Sequence, residues 1–128
     1  MSDAQGWSVE GFHHVQLAMP PEREPEAEAF YAGVLGFTRI EKPAHLAARG
    51  GCWFRSGDLE LHLGVEPAFM PSGKAHPALR IHGLASLRSA LQAAGWPIQD
   101  DTQLDGHDRW YALDPFGNRL EFIEERTG

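Results

Sequence analysis

Apolar and polar positions alternate along residues 12–19 (FHHVQLAM), with Val15, Leu17 and Met19 on one side and His14, Gln16 and Ala18 on the other. That is the pattern of a half-buried strand, and Pro20 and Pro21 stop it. The period then changes. Ala27, Phe30, Tyr31, Val34 and Leu35 recur at helical spacing, Pro25 with Glu26 and Glu28 suits a helix N-terminus, and Gly36 offers a left-handed end. Residues 37–40 predict a second strand and 43–51 an irregular connection. Residues 52–55 and 59–63 predict two strands joined through Ser-Gly-Asp, a hairpin signal.

The same order then recurs. Residues 76–82 (HPALRIH) read as a strand and 86–94 as a helix with the stripe Leu87, Ala90, Leu91 and Ala94, ended by Gly95. A short strand at 96–99, a loop rich in Asp and Gly, a strand at 109–113, the turn Asp-Pro-Phe-Gly-Asn and a last strand at 120–124 complete the second half. The offsets between matching landmarks are close: 62 from His14 to His76, 59 from Gly36 to Gly95 and 61 from Glu60 to Glu121. An internal repeat of this kind predicts one supersecondary unit used twice. The expectation is a single α+β domain over residues 1–128. It holds two β-α-β-β-β modules with curved mixed sheets that form a cup, module one at about 11–64 and module two at about 75–125. The segment 66–74 (EPAFMPSGK) is the linker.

If the apolar members of each strand face the helices, the opposite faces are rich in chemistry. His14 and Gln16 lie there in the first strand, Glu60 and His62 in the fourth, His76 and Arg80 in the fifth, and Glu121 in the eighth, with Arg109 and Tyr111 joining them by parity. Two imidazoles and a carboxylate, His14, His76 and Glu121, make the 2-His-1-carboxylate set that binds a divalent ion and leaves positions open for substrate oxygens. Glu60 or His62 is a candidate fourth ligand. A lone strand histidine is more often a surface residue than a ligand, and only the pairing through the repeat lifts these above that reading. His13, His45, His82 and His107 have no such pairing.

Composition narrows the partners. With 18 acidic residues against 11 Lys plus Arg, the 128-residue chain carries a net charge of −7 and no basic stripe, which argues against nucleic acid and anionic lipid. The 14 glycines and nine prolines suit short elements joined by tight turns. No apolar run approaches the ~20 residues of a membrane helix. A single cysteine, Cys52, excludes an intrachain disulfide and reads as a small hydrophobe of the third strand, while residues 1–7 lack the features of an export signal; a cytoplasmic location is expected. Asp100, Asp101, Asp105 and Asp108 read as a solvated loop without calcium-loop spacing. No serine-hydrolase elbow, phosphate-binding glycine loop or dinucleotide fingerprint is present.

The segments FHHVQLAM, AFYAGVLGF, SGDLELHLGVEP, KAHPALRI and WYALDPFGNRLEFIE together resemble the vicinal oxygen chelate superfamily, the glyoxalase/bleomycin-resistance/dioxygenase group. The most specific pieces are the FYxxxLGF helix end and the DPFGNRLE turn into the last strand. The resemblance implies paired modules, and a divalent metal (Zn, Ni, Mn or Fe) held from the first, fifth and eighth strands, positions occupied here by His14, His76 and Glu121. A further carboxylate comes from the fourth strand, where Glu60 matches and His62 competes. It further implies a glyoxalase-like enzyme, an isomerase or lyase or a related transferase of small organic substrates chelated through two oxygens, with Glu121 or Glu60 as the catalytic base. Arg109, Tyr111 and Arg80 are then candidates for orienting an anionic substrate. Relatives of this kind often dimerise, so that His14 and Glu60 of one chain would meet His76 and Glu121 of another. The alternative is a metal-free protein that sequesters a small molecule, in which Trp53, Phe69, Trp110 and Phe116 would matter more than the histidines.

Overall fold

The computed structural model describes residues 5–127, so the first four residues of the opening segment lie outside the described residues. Eight strands and three helices follow one another in the order β1 (Val15–Met19), α1 (Glu24–Tyr31), β2 (Thr38–Ile40), α2 (Ala44–Ala47), β3 (Cys52–Ser56), β4 (Leu59–Val65), β5 (Ala78–Arg80), α3 (Leu84–Ala93), β6 (Gln99–Asp100), β7 (His107–Leu113) and β8 (Arg119–Glu125). They build two four-stranded sheets of the same topology, β1-β4-β3-β2 and β5-β8-β7-β6. In each the outer strand of the first βα unit pairs in parallel (β1 with β4, β5 with β8) and the rest are antiparallel. The architecture is α+β, with curved, unclosed sheets.

Element boundaries follow local chemistry. Helix α1 opens with Pro25 in its first turn and the acids Glu24 and Glu26 at its positive end. It is shorter than its apolar stripe: past Tyr31 the chain loosens into wider turns, with both Val34 N–H and Leu35 N–H donating to the Phe30 carbonyl, before Gly36 (φ 83°) reverses it. Strand β5 spans three residues where the pattern predicted seven. Pro77 has no N–H for a ladder, which leaves its carbonyl to accept from Glu121 N–H, so His76 sits just ahead of the strand. His14 likewise precedes β1. The irregular connection contains the single turn α2, and the sixth strand is only Gln99–Asp100, displaced from the expected 96–99. Gly51 (φ 82°) approaches β4 so closely that a Cβ there would lie 2.1 Å from the Leu63 carbonyl oxygen, which only glycine allows.

The helix-side faces of both sheets share one core. Leu61, Leu63 and Phe54 from the first sheet and Leu120, Phe122 and Leu79 from the second belong to a single buried cluster with Phe30, Tyr31 and Leu91 of the helices. Phe30 and Trp96 meet edge to face at 4.7 Å between the modules. Cys52 is buried in this cluster, and burial pushes its thiol up to about 11, an unreactive thiol at neutral pH.

Helix α3 is capped from outside its own segment. Its N-cap is Gly83 (φ 84°), and the Glu124 carboxylate of β8 accepts the N–H groups of Gly83 and Leu84, both at 2.9 Å. Those N–H donors lower the Glu124 pKa, Leu84 most. The folded value lies below the unfolded one, so this contribution is complete above the ordinary glutamate pKa and is lost as pH falls through the lowered value. Thermal melts at descending pH are expected to show the wild type losing stability in acid more steeply than Glu124→Gln. Parallel profiles would exclude the linkage.

Candidate metal and substrate site

The chemistry-bearing residues fall on the sheet faces turned away from the core, in two sets. On the first sheet, the Trp53↔His62 and Gln16↔His62 pairings bring β1, β3 and β4 side chains to one face. The Trp53 and His62 rings stack at 3.9 Å with an interplanar angle of 5°, and His14 stacks on the other partner, His62, at 4.2 Å. His62 is 3% exposed, and its Nε2 lies 2.9 Å from Glu60 Oε1. Glu60 also accepts from Arg55 at 2.9 Å. The His62 hydrogen bond, then Arg55, draws the Glu60 pKa down to about 2, while burial lowers that of His62. A neutral imidazole that donates Nε2–H to an ionised Glu60 satisfies both. Glu60 and His62, alternatives in sequence, are thus joined as one unit.

On the second sheet, Glu121 (5% exposed) sits between β5 and β7, in register with Ala78 and Tyr111. His76 Nδ1 is 2.8 Å from the Lys74 carbonyl oxygen, and its Nε2 is 2.9 Å from Glu121 Oε1. A carbonyl only accepts, so Nδ1 carries the proton, and the Nε2 of a neutral ring presents a lone pair to a carboxylate. Two acceptors at that separation need a cation between them, a proton or a metal ion. A backbone carbonyl that fixes the far nitrogen is also how proteins orient a metal-binding histidine. Arg109 Nη1 lies 3.4 Å from Glu121 Oε2 and its Nε donates to the Thr102 carbonyl at 2.9 Å.

The donor types therefore fit a divalent ion, but they are divided between two sheets. Among the described residues no group of three or more His, Cys, Asp or Glu side chains is placed to hold a metal within one chain. His14 with Glu60 and His62 forms one set, and His76 with Glu121 the other. Arg80 lies exposed on the second-sheet face beside Ala78, in register with Ile123, and Tyr111 is buried under the guanidinium groups of Arg109 and Arg119.

Two of the four aromatics named for a metal-free crevice are core residues instead. Trp110 packs on Phe122 at 4.9 Å on the helix side of β7, and Phe116 is buried beneath Arg23. Strand parity places Trp110 opposite to Tyr111, and the turn folds Phe116 inward. Trp53 and Phe69 do line clefts.

Residues with roles that pattern reading missed lie around the DPFGN turn. Asp114, 3% exposed, accepts from Phe116 N–H (2.9 Å), Asn118 N–H (2.8 Å), Asn118 Nδ2 (2.9 Å) and Tyr31 Oη (2.8 Å). Asn118 Nδ2 also donates to the Ala18 carbonyl of β1 at 2.8 Å. The turn thereby clamps β8 to α1 and β1, holding the two modules in register. Arg119, two residues before Glu121 and on the same face, was equally unmarked; alternation alone would have found it.

No helix among the described residues is long and apolar enough to cross a membrane. The sequence profile of the Glyoxalase/Bleomycin resistance protein/Dioxygenase superfamily matches residues 11–122. No functionally curated protein matches the chain in sequence. Among solved structures, a glyoxalase family protein from Bacillus anthracis is 42% identical, with a TM-score of 0.90 over 93% of this chain and 98% of that one. A fosfomycin resistance protein from Listeria monocytogenes (14% identity, TM-score 0.70, 94% and 95% covered) shares the fold. So does an antibiotic binding protein from Streptomyces (19% identity, TM-score 0.70, 93% and 100% covered). With its profile match spanning both modules, the chain belongs to the Glyoxalase/Bleomycin resistance protein/Dioxygenase superfamily.

Proposed function

We infer that this protein is a metal-dependent, glyoxalase-like enzyme, an isomerase or lyase acting on a small organic substrate through two vicinal oxygens, and that it works as a homodimer in the cytoplasm. The observation that carries the reading is the facing pair His76 Nε2 and Glu121 Oε1, 2.9 Å apart with the ring's other nitrogen committed to Lys74, an imidazole and a carboxylate that a proton or a divalent ion would bridge. His14, with Glu60 or His62, supplies the complementary donors from an open sheet face, and a second copy of the chain brings the two sets together.

A bound divalent ion would supply Lewis-acid polarisation of the substrate oxygens. The chain's own residues do the rest. His14, His76 and Glu121 would hold the ion. Glu60, held ionised by His62 and Arg55, and Glu121 are the candidate bases. On the second sheet Arg109 and Arg80 remain candidates for orienting the substrate near the ion, with Tyr111 packed beneath the Arg109 guanidinium.

A second reading has its own support. The Trp53–His62–His14 ring stack offers an aromatic wall, and structural neighbours of this fold include an antibiotic binding protein. In that case the chain sequesters a small molecule without metal. Subunit mixing separates the readings. His14→Ala and Glu121→Ala proteins, each deficient in metal, are expected to regain up to about half the metal-binding sites per mixed dimer when exchanged together, because one of the two shared sites is then intact. No recovery under proven exchange overturns shared sites, and metal-free wild type that takes up none overturns the enzyme reading.

A further inference from the structure

We propose that Arg119 anchors the anionic group of the substrate, and that the substrate is a small carboxylate with an apolar body seated in the cleft between β1, the linker and the start of β8. The inference rests on the reading above only in placing the substrate beside His76 and Glu121.

The cleft has a volume of about 420 Å³, a size suited to a small organic molecule. Phe12, Leu17, Phe69 and Met70 give it apolar walls, and its polar lining is Glu66, Ser72, His76, Asn118 and Arg119, of which Arg119 is the cation. Phe12 and Met70 are 93% and 84% exposed, so among the described residues nothing covers the apolar rim.

Arg119 is the anomaly. Its Nε is buried with no hydrogen-bond partner among the described residues, and its Nη2 lies 3.9 Å from Asp101 Oδ2, an ion pair beyond hydrogen-bonding reach. Buried donors are almost always satisfied, and a half-buried cation is normally paired. What holds this guanidinium is a cation–π contact, its Cζ over the Tyr111 ring at 4.0 Å from the centroid, which leaves its N–H donors free. A rigid, underused guanidinium at the polar end of an apolar cleft is a carboxylate receptor, since the planar fork matches two carboxylate oxygens. The other cations of this face are less suited. Arg109 is committed to Thr102 and Glu121, and Arg80 lies exposed and does not line the cleft. The position of Arg119, two residues from Glu121 on the same strand face, sets a bound carboxylate next to the proposed metal donors.

Calorimetric titration of the full chain with straight-chain carboxylates from butanoate to octanoate, and with the primary alcohols of the same length, tests this in EDTA so that no metal contributes. The expected result is affinity rising with chain length, and carboxylates binding at least about tenfold more tightly than alcohols, as a charge-assisted contact requires. Arg119→Met is expected to abolish that preference while alcohol binding is kept, Arg119→Lys to retain part of it, and Phe69→Ala to weaken both series. Equal binding of acids and alcohols by the wild type, no binding at all, or an unchanged preference in Arg119→Met overturns the proposal. Should Arg119→Met fail to fold, the wild-type ratio and Arg119→Lys still decide. Because metal uptake is measured separately, loss of metal binding with the carboxylate preference intact would sink the enzyme reading alone.

Discussion

Glu121→Gln and His76→Ala are each expected to cut the affinity for a divalent metal at least about a hundredfold, the upper range seen even for residues that merely support a ligand. Glu121→Gln is the sharper change. The amide keeps the shape of a side chain that is 5% exposed between β5 and β7, but loses the charge that faces His76 Nε2 at 2.9 Å. Metal content per subunit, measured on protein purified without a histidine tag, and titration of the EDTA-treated protein report the effect. Affinity should rise with pH, since metal and proton compete for the same imidazole lone pair. Lys74 enters only through its backbone carbonyl, so Lys74→Ala should leave metal binding nearly unchanged. A wild-type protein that neither carries nor takes up metal would end the metal reading. The stacked Trp53, His62 and His14 rings would then be examined as a binding wall, through tryptophan fluorescence in EDTA.

Asp114→Ala is expected to be the most destabilising single substitution at any polar position of the fold. Four donors converge on that carboxylate from the turn itself and from Tyr31 of α1. Burial raises the Asp114 pKa and the four donors pull it back; burial likewise, with Asp114 beside it, holds the Tyr31 hydroxyl protonated. Truncation to alanine strands several buried donors at once, each costing roughly 1–3 kcal/mol. A total loss of about 4 kcal/mol is a large share of the 5–15 kcal/mol typical of a domain. Tyr31→Phe removes one of the four bonds and should cost only about 1 kcal/mol. Urea denaturation with an unchanged slope measures both. A midpoint for Asp114→Ala equal to that of Tyr31→Phe would show that the clamp carries no more than a single hydrogen bond.

The same two regions show how far pattern reading reaches. Alternation placed Glu121, Tyr111 and Arg109 on one face of their strands, and the register Tyr111↔Glu121 agrees. Alternation also assigned Glu60 and His62 to a common face, yet could not choose between them. In the structure the two side chains are hydrogen-bonded to each other, with His62 held between Trp53 and His14. Strand ends were less legible. His76 lies ahead of β5 because Pro77 withholds a ladder donor, and α1 ends at Tyr31 because its last turn widens toward Gly36. Arg119 shares the parity of Glu121 but carries no motif, and an Nε with no partner among the described residues is a property of burial, which no spacing reports.

What the sequence by itself determined is the duplicated β-α-β-β-β order, the α+β class and the segregation of apolar from chemically active faces. These follow from periods of two and 3.6 residues and from Gly and Pro at the joints, all local properties of the chain. Tertiary structure alone decided which of the active residues meet. It paired His76 with Glu121 and His14 with His62, and it set those pairs on separate sheets. It also made the DPFGN turn a clamp between modules and left N–H donors of the Arg119 guanidinium unspent. Such contacts join residues as much as 83 positions apart, as with Tyr31 and Asp114, and their partners are chosen by packing around a shared core, where distance along the chain has no bearing.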